Sequence, residues 1–197
     1  MATAAKTGRR VYHIDFKRAL STSPLKKETT PCAKIYVLLP KGYQHIDDDG
    51  DECCIEMSNS MYGLKQSNRD WMDRVVASSK ELQFEESTKY PSLFIGKGFT
   101  IVVWIDDFFV LPPIDLNQEQ ELEAVTKLAN DFQRSIGTDV DVLGLLTHAL
   151  GIDFEWGTNS DGTTWVTLGQ ERYIDQLLHR YEYQDLSEQR LYLPNDF

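Results

Sequence analysis

The run IVVWIDDFFVL, residues 101–111, restricts the possible folds most, because two adjacent carboxylates interrupt a strongly apolar stretch. Burying one unpaired ionised carboxylate is costly, and two neighbouring carboxylates also repel each other. A tight hairpin tip resolves this conflict, since aspartate is favourable in turns. Such a tip can also present Asp106 and Asp107 to a divalent cation, which prefers oxygen ligands. From this segment alone, a surface turn with two solvated aspartates is an equally good interpretation.

A second acidic candidate, Asp15, ends the short apolar segment VYHIDF, residues 11–16, which we interpret as a strand. If folding brings Asp15 beside the later pair, the three carboxylates form a site suited to divalent cations. Taken by itself, an aspartate at the end of a strand is more often a structural residue. Asp15 therefore becomes a metal-ligand candidate only together with Asp106 and Asp107.

Short apolar runs predict further strands at 35–39 and 53–57. Glycine-containing turns predict two hairpins, one around GKG (96–98) and one around GTNSDG (157–162). Apolar residues at helical spacing predict helices at about 68–82, 118–136 and 170–182. Because hairpins and helices alternate along the chain, the predicted class is α+β, with a mainly antiparallel sheet and packed helices.

The ends and buried faces of these helices are also predictable. Ser67 or Asn68 is expected to cap the first helix, whose buried face includes Trp71. Asn117 with Gln120 resembles a capping box at the start of the second helix. The buried stripe of that helix is predicted to be Leu122, Val125, Leu128, Ala129, Phe132 and Ile136. The last helix is predicted to bury Tyr173, Ile174, Leu177, Leu178 and Tyr181.

The charge balance excludes one simple class of function. With 20 basic and 31 acidic residues the formal net charge is −11, whereas a plain nucleic-acid-binding module has a basic excess. We expect residues 1–9 to be a flexible tail, 10–183 one domain, and 184–197 a C-terminal extension. The first residues lack the apolar core of a secretion signal, and the longest apolar run is too short to cross a bilayer. Three cysteines without metal-ligand spacing fit an intracellular protein, cytoplasmic or nuclear rather than secreted.

Six segments, taken in order, carry a resemblance to a known family. They are YHIDFKRAL (12–20), KIYVLLPKGY (34–43), MYGLKQSNRDW (61–71), WIDD (104–107), LGLLTHALGIDFEW (143–156) and LGQERYIDQLLHRY (168–181). The chain resembles the reverse transcriptases of copia-type retrotransposons from about Arg10 to Tyr183. The YGLKQ segment and the aromatic-x-Asp-Asp box are each moderately specific, and their order and spacing make the resemblance strong.

The resemblance implies a palm-like fold and RNA-directed DNA polymerase activity through two-metal nucleotidyl transfer. Two Mg²⁺ or Mn²⁺ ions would be held by the catalytic residues Asp15 and Asp106, with Asp107 as a weaker or supporting ligand. The implied partners are an RNA or DNA template-primer, deoxynucleoside triphosphates and other segments of a retroelement polyprotein. The residues implied to contact nucleotide and template are Gly63, Leu64, Lys65 and Gln66, and those implied to position the primer end are Leu150, Gly151 and Ile152.

Departures from the family pattern favour an alternative function. Leu20 stands where such enzymes carry an aromatic residue that screens the sugar 2′ position, so we expect weaker selection against ribonucleotides. Asn68 replaces a usual proline and Trp104 a usual tyrosine. We also expect the basic fingers upstream of the first motif and an RNase H portion to be absent, which would cost activity. The alternative is a non-catalytic, repurposed palm that serves as a binding or scaffolding module.

A third interpretation concerns HIDDDGDECCIE, residues 45–56, which partly matches a calcium-binding EF-hand loop. Asp47, Asp49 and Glu56 fall on ligand positions, but His45 occupies the first one. Pro40 also prevents a helix immediately before the loop. A solvated connecting loop is therefore the expected structure here.

Overall fold

The computed structural model describes residues 1–25 and 34–183, so the predicted C-terminal extension, 184–197, lies outside the described residues. The described residues form two compact units, and the single domain predicted over 10–183 stays a prediction. The larger unit is Arg9–Leu145, and the smaller unit combines Met1–Gly8 with the described residues 146–183. In the described residues, no helix is both long and apolar enough to cross a membrane.

The larger unit is built on a six-stranded antiparallel sheet. Its strands are β1 (Tyr12–Phe16), β4 (Glu85–Glu86), β5 (Leu93–Gly96), β6 (Phe99–Trp104), β7 (Asp107–Leu111) and β8 (Val140–Leu145). They lie in the order β4-β5-β6-β7-β1-β8. Two helices, α2 (Ser67–Glu81) and α3 (Gln118–Ile136), belong to the same unit. A separate two-stranded ribbon pairs β2 (Tyr36–Leu38) with β3 (Cys54–Glu56). The predicted α+β class with a mainly antiparallel sheet is confirmed.

Aromatic packing joins the helices to one face of this sheet. The ring of Phe16 lies 4.6 Å from that of Phe108 and 5.7 Å from that of Trp71, and Phe108 meets Phe132 edge-on at 5.5 Å. All four side chains are at most 1% exposed. Every second residue of β1 and β7 thus packs into the core. The residues between them lie on the opposite face of the sheet.

The two helices of the larger unit begin differently. Asn117 and Gln120 form the predicted capping box at the start of α3, and Gly137 ends that helix in a left-handed conformation. The predicted cap of α2 is wrong: the helix follows Gln66, and within residues 1–25 and 34–183 no side chain caps it. Ser67 instead donates its hydroxyl hydrogen to the carbonyl of Met61 at 2.6 Å, and so anchors the preceding turn.

The predicted apolar stripe of α3 is correct except at its first position. Val125, Leu128, Ala129, Phe132 and Ile136 are buried, whereas Leu122 is 43% exposed. The position that faces the interior in the first turn is occupied by Glu121, which is 5% exposed. Its carboxylate accepts hydrogen bonds from Arg10 at 2.7 Å and from the Tyr12 hydroxyl at 2.8 Å, so a paired charge replaces an apolar contact.

The smaller unit contains a three-stranded antiparallel sheet with the order β11-β10-β9. Its elements are α1 (Ala2–Thr7), β9 (His148–Ala149), β10 (Ile152–Thr158), β11 (Thr164–Gly169) and α4 (Glu171–Arg180). Helix α1 lies where we expected a flexible tail, and it is held to β11 because the Thr164 hydroxyl donates to the Ala5 carbonyl at 2.6 Å.

The buried face predicted for the last helix is wrong. In α4, Tyr173 and Ile174 are about half exposed, at 49% and 51%, and Tyr181 just after the helix is 61% exposed. Helical spacing does produce an apolar stripe on α4. Within the described residues, however, the three-stranded sheet does not cover that stripe.

Candidate metal centre

The acidic pair lies at the tip of the hairpin formed by β6 and β7, with Asp106 in a two-residue turn and Asp107 at the start of β7. Trp104 pairs with Asp107, so Ile105 and Asp106 form the turn. Ile105 has a φ of 54°, a left-handed conformation that is unfavourable for a β-branched residue. Two hydrogen bonds hold this strained turn: Trp71 Nε1 donates to the Ile105 carbonyl at 2.6 Å, and the Phe16 amide donates to the Asp106 carbonyl at 2.9 Å.

The early aspartate lies beside this turn. Asp15 on β1 is the direct cross-strand partner of Asp107 on β7, and side chains of directly opposed residues share one face of a sheet. The pKa of Asp15 is raised, first by burial and then by the negative charges of Asp106 and Asp107, while His13 has a smaller opposite effect. The fold therefore brings the three predicted carboxylates into one electrostatically coupled cluster.

The cluster is not arranged as a finished coordination shell. Within residues 1–25 and 34–183, no group of three or more His, Cys, Asp or Glu side chains is arranged to hold a metal ion. Asp107 is already engaged, because its Oδ1 lies 2.6 Å from His13 Nε2. Asp106 Oδ2 lies 3.5 Å from the Tyr62 hydroxyl. Both contacts use carboxylate oxygens that a cation would otherwise bind.

The donor set nevertheless fits a hard divalent cation. Asp15 and Asp106 supply carboxylate oxygens, and one or two carboxylates are sufficient for Mg²⁺ when substrate phosphates complete its shell. The pKa of Asp15 is raised by its burial and, to a smaller extent, by the negative charges of Asp106 and Asp107, and a bound cation would offset those charges. That Asp15 and Asp106 are the ligands, with Asp107 in support, stays a prediction.

Sequence reasoning missed a fourth carboxylate on the same face. Asp141 on β8 is the other cross-strand partner of Asp15 and forms a 2.7 Å ion pair with Lys17 Nζ. It contributes to raising the pKa of Asp15, although less than Asp106 and Asp107 do. The alternating DVDV at 139–142 carried the signal, since it places aspartates on one face of a strand and valines on the other.

The predicted nucleotide-side residues lie in the turn before α2. Gly63 has a φ of 94°, which favours glycine, and the Lys65 side chain is exposed. Leu64 and Gln66 are half-buried. The same turn carries Tyr62, whose hydroxyl approaches Asp106. The segment 63–66 therefore directly follows a residue, Tyr62, that contacts the acidic cluster.

Leu20, predicted to lie at the nucleotide sugar, is 3% exposed and packs in the core cluster. Its side chain faces other apolar residues, so any effect on the nucleotide would act through the packing of the turn that follows β1. Its influence on ribonucleotide selection stays a prediction.

The predicted primer-positioning residues belong to the smaller unit. Leu150 and Gly151 form the turn between β9 and β10 with φ values of 53° and 74°, and Ile152 begins β10. Leu150 is 54% exposed, so it presents an apolar side chain to solvent at the tip of a tight turn. Their role at a primer end stays a prediction.

The acidic loop that resembled an EF-hand is a closed turn, as expected. Asp47 Oδ1 accepts hydrogen bonds from the amides of Asp49 and Asp51, at 3.1 and 2.9 Å. This carboxylate is used to stabilise the loop itself, and β3 follows at Cys54–Glu56 where an EF-hand would have a helix.

The chain is similar to known proteins over most of its length. A family model described as reverse transcriptase (RNA-dependent DNA polymerase) matches residues 1–193. The chain is also similar to the retrovirus-related Pol polyprotein from transposon TNT 1-94 of Nicotiana tabacum, with 25% identity over 186 residues. That similarity covers 92% of this chain but 12% of the polyprotein.

Proposed function

This chain belongs to the reverse transcriptase family, as a copia-type member, and we propose that it is the palm-like core of an RNA-directed DNA polymerase. The observation that carries the proposal is the cross-strand pairing of Asp15 with Asp107 beside the turn that bears Asp106. An early carboxylate, Asp15, thereby lies beside a later adjacent pair at the tip of the β6–β7 hairpin. An ordinary surface turn would not require the early one.

We assign cation binding to Asp15 and Asp106, with Asp107 in support, and we propose two Mg²⁺ or Mn²⁺ ions. When bound, such ions activate the primer hydroxyl and stabilise the charge that develops on the transferred phosphoryl group. The protein holds the ligands in place: Trp71 fixes the turn before Asp106, and the β1–β7 pairing fixes Asp15. Preorganised ligands of this kind need little rearrangement when substrate arrives.

The substrates follow from the family. We propose that the template-primer is RNA or DNA, that the second substrate is a deoxynucleoside triphosphate, and that Gly63, Leu64, Lys65 and Gln66 contact the nucleotide and template. Lys65 is an exposed cation in the turn that also carries Tyr62, the neighbour of Asp106. We propose that Leu150, Gly151 and Ile152 contact the primer end, and that other segments of a retroelement polyprotein supply further surface. The proposed compartment is the cytoplasm or the nucleus.

A second candidate is a non-catalytic module with a polymerase-like fold. The net charge of −11 opposes binding of a template-primer duplex, and Asp107 is engaged by His13. These two observations favour a protein-binding or scaffolding role if basic surface is not supplied by a partner.

Primer extension separates the two candidates. The folded chain, given a labelled DNA primer on an RNA template, deoxynucleoside triphosphates and Mg²⁺ or Mn²⁺, should lengthen the primer. Asp106→Asn should reduce the rate at least about a hundredfold, because a cation ligand acts directly on the charge of the transition state. Asp48→Asn, which removes one charge from an exposed loop, should leave the rate within about twofold. A folded wild-type chain that extends no primer would favour the module.

A further inference from the structure

His13 makes a short contact with one of the acidic residues and is nearly buried. Its Nε2 lies 2.6 Å from Asp107 Oδ1, and the residue is 8% exposed. An ionised carboxylate only accepts hydrogen bonds, so the imidazole nitrogen is the donor. Neither the composition nor the motifs of the sequence pointed to this histidine, which stands two residues before Asp15.

The imidazole is held in place from the neighbouring strand. His13 and Phe109 are cross-strand partners, and their rings lie 5.3 Å apart with a 31° tilt. On the other side, the partner of His13 is Gly144, which has no side chain and adjoins an irregularity in the β1–β8 register. Phe109 therefore supports one side of the ring, and the hydrogen bond to Asp107 fixes its polar edge.

Strand geometry places this contact beside the cation ligands. His13 and Asp15 are two residues apart on β1, so they share a face of the sheet with Asp107. The hydrogen bond occupies one oxygen of Asp107 and restricts the rotation of its carboxylate. The other oxygen of Asp107 is not used by this hydrogen bond.

We propose that His13 is a positioning residue: by donating to Asp107 it orients that carboxylate in the acidic cluster and thereby strengthens cation binding by Asp15 and Asp106. The inference rests on the proposed function, since it assumes that the cluster binds divalent cations. In this assignment His13 itself is not a ligand, because Nε2 donates its hydrogen to Asp107 and has no lone pair left for a cation. Groups that orient metal ligands in this way typically change metal affinity by about 10- to 100-fold when they are removed.

Mn²⁺ binding to the full chain, followed by the electron paramagnetic resonance signal of free Mn²⁺, tests the assignment. His13→Ala should weaken binding by about tenfold or more. His13→Gln, whose amide can also donate to Asp107, should recover most of the loss. His148→Ala is the matched control, because it removes another histidine–aspartate contact, 2.7 Å to Asp153 in the smaller unit, and should leave Mn²⁺ affinity unchanged.

A double variant distinguishes positioning from a general structural effect. If His13 acts through Asp107, the pair His13→Ala with Asp107→Ala should bind Mn²⁺ no more weakly than Asp107→Ala alone. In the metal-free protein, ¹⁵N resonances of the His13 ring should report a hydrogen-bonded Nε2–H that is lost in Asp107→Ala, which removes the acceptor. Should His13→Ala fail to fold, His13→Asn replaces it, because its shorter amide stops short of Asp107.

The outcomes separate this inference from the proposed function. Unchanged Mn²⁺ affinity in folded His13→Ala would overturn the inference alone, as would a further loss in the double variant. A folded wild-type chain that binds no Mn²⁺ would overturn both. Weaker binding in His13→Ala, recovery in His13→Gln and no additional loss in the double variant would support the positioning role.

Discussion

Asp15 and Asp107 lie directly opposite each other on the neighbouring antiparallel strands β1 and β7. Like charges in this position destabilise a sheet. The pKa of Asp15 is raised mainly by burial, and the negative charges of Asp106 and Asp107 raise it further. Residues that oppose stability at a defined place in a well-packed fold are typical of functional sites. The pairing of these two aspartates is therefore the structural basis for proposing a cation-binding site where β1 ends and β7 begins.

Removing the charge of Asp15 should stabilise the metal-free protein. In the folded state the Asp15 pKa is raised above its ordinary value, so the stability that its protonated form provides is lost as pH rises through the folded pKa. Asp15→Asn should therefore unfold at higher urea concentration than wild type at neutral pH in EDTA. The expected gain is less than about 1 kcal/mol, because partly solvated charges are screened.

The pH dependence gives this prediction a control. Below the ordinary pKa of aspartate both states of the wild type are protonated, so the difference between wild type and Asp15→Asn should vanish there. It should grow as pH rises to neutrality. Asp48→Asn, in an exposed loop, should show no such pH-dependent gain. A stability difference that is constant with pH would contradict the electrostatic origin.

Trp71 should be essential for the turn that carries Asp106. Its ring is fully buried and its Nε1 donates to the Ile105 carbonyl at 2.6 Å. Trp71→Phe removes this hydrogen bond and leaves a cavity, which together should cost about 2–3 kcal/mol of unfolding free energy. Trp104→Phe is the control, since Trp104 is 58% exposed and should change stability by less than about 0.5 kcal/mol. Equal losses in urea unfolding would contradict the assigned role.

The Arg74 side chain joins α2 to the segment that follows β1 and to the end of α3. One guanidinium nitrogen donates to the Thr22 carbonyl at 2.7 Å, and another donates to the Ile136 carbonyl at the end of α3. Burial lowers the pKa of Arg74, because the guanidinium has lost part of its hydration. Arg74→Met leaves both carbonyls without this donor and should cost about 2–3 kcal/mol.

Arg69 provides the matched control for Arg74, because it is an exposed arginine on the same helix α2. Arg69→Met should change the free energy of unfolding by less than about 0.5 kcal/mol. The comparison is made by urea denaturation monitored by circular dichroism. Similar losses for both arginines would mean that the contacts of Arg74 add nothing specific.

Local signals in the sequence predicted the elements that position the site. The β6–β7 hairpin follows from two adjacent aspartates between apolar runs, and the capping box at Asn117 follows from side-chain chemistry at a fixed spacing. Both depend on residues within a few positions of each other. Such features can be predicted from the sequence because neighbouring residues alone determine them.

Features that depend on register between distant strands were not predictable from local sequence. The opposition of Asp15 and Asp141, and the contact of His13 with Asp107, arise from the alignment of β1 with β8 and β7. The register of distant strands is set by how the whole sheet packs. Cross-strand neighbours of the predicted carboxylates were therefore missed.

The prediction of a buried face on α4 was wrong for a different reason. Helical periodicity predicts that Ile174 and its neighbours lie on one side of the helix, and they do. Periodicity does not supply the surface that would cover them. At Glu121, similarly, a paired carboxylate occupies an inward position that apolar patterning assigned to Leu122.

Binding of Mn²⁺ to metal-free protein tests the cation site most directly. The wild-type chain and Asp48→Asn should bind Mn²⁺ with equal affinity, whereas Asp15→Asn and Asp106→Asn should each lose at least about tenfold in affinity. Bound Mn²⁺ should also raise the thermal unfolding temperature of the wild type more than that of Asp15→Asn at the same Mn²⁺ concentration. Equal Mn²⁺ affinity in all four folded proteins would contradict the assignment of these carboxylates as a cation site.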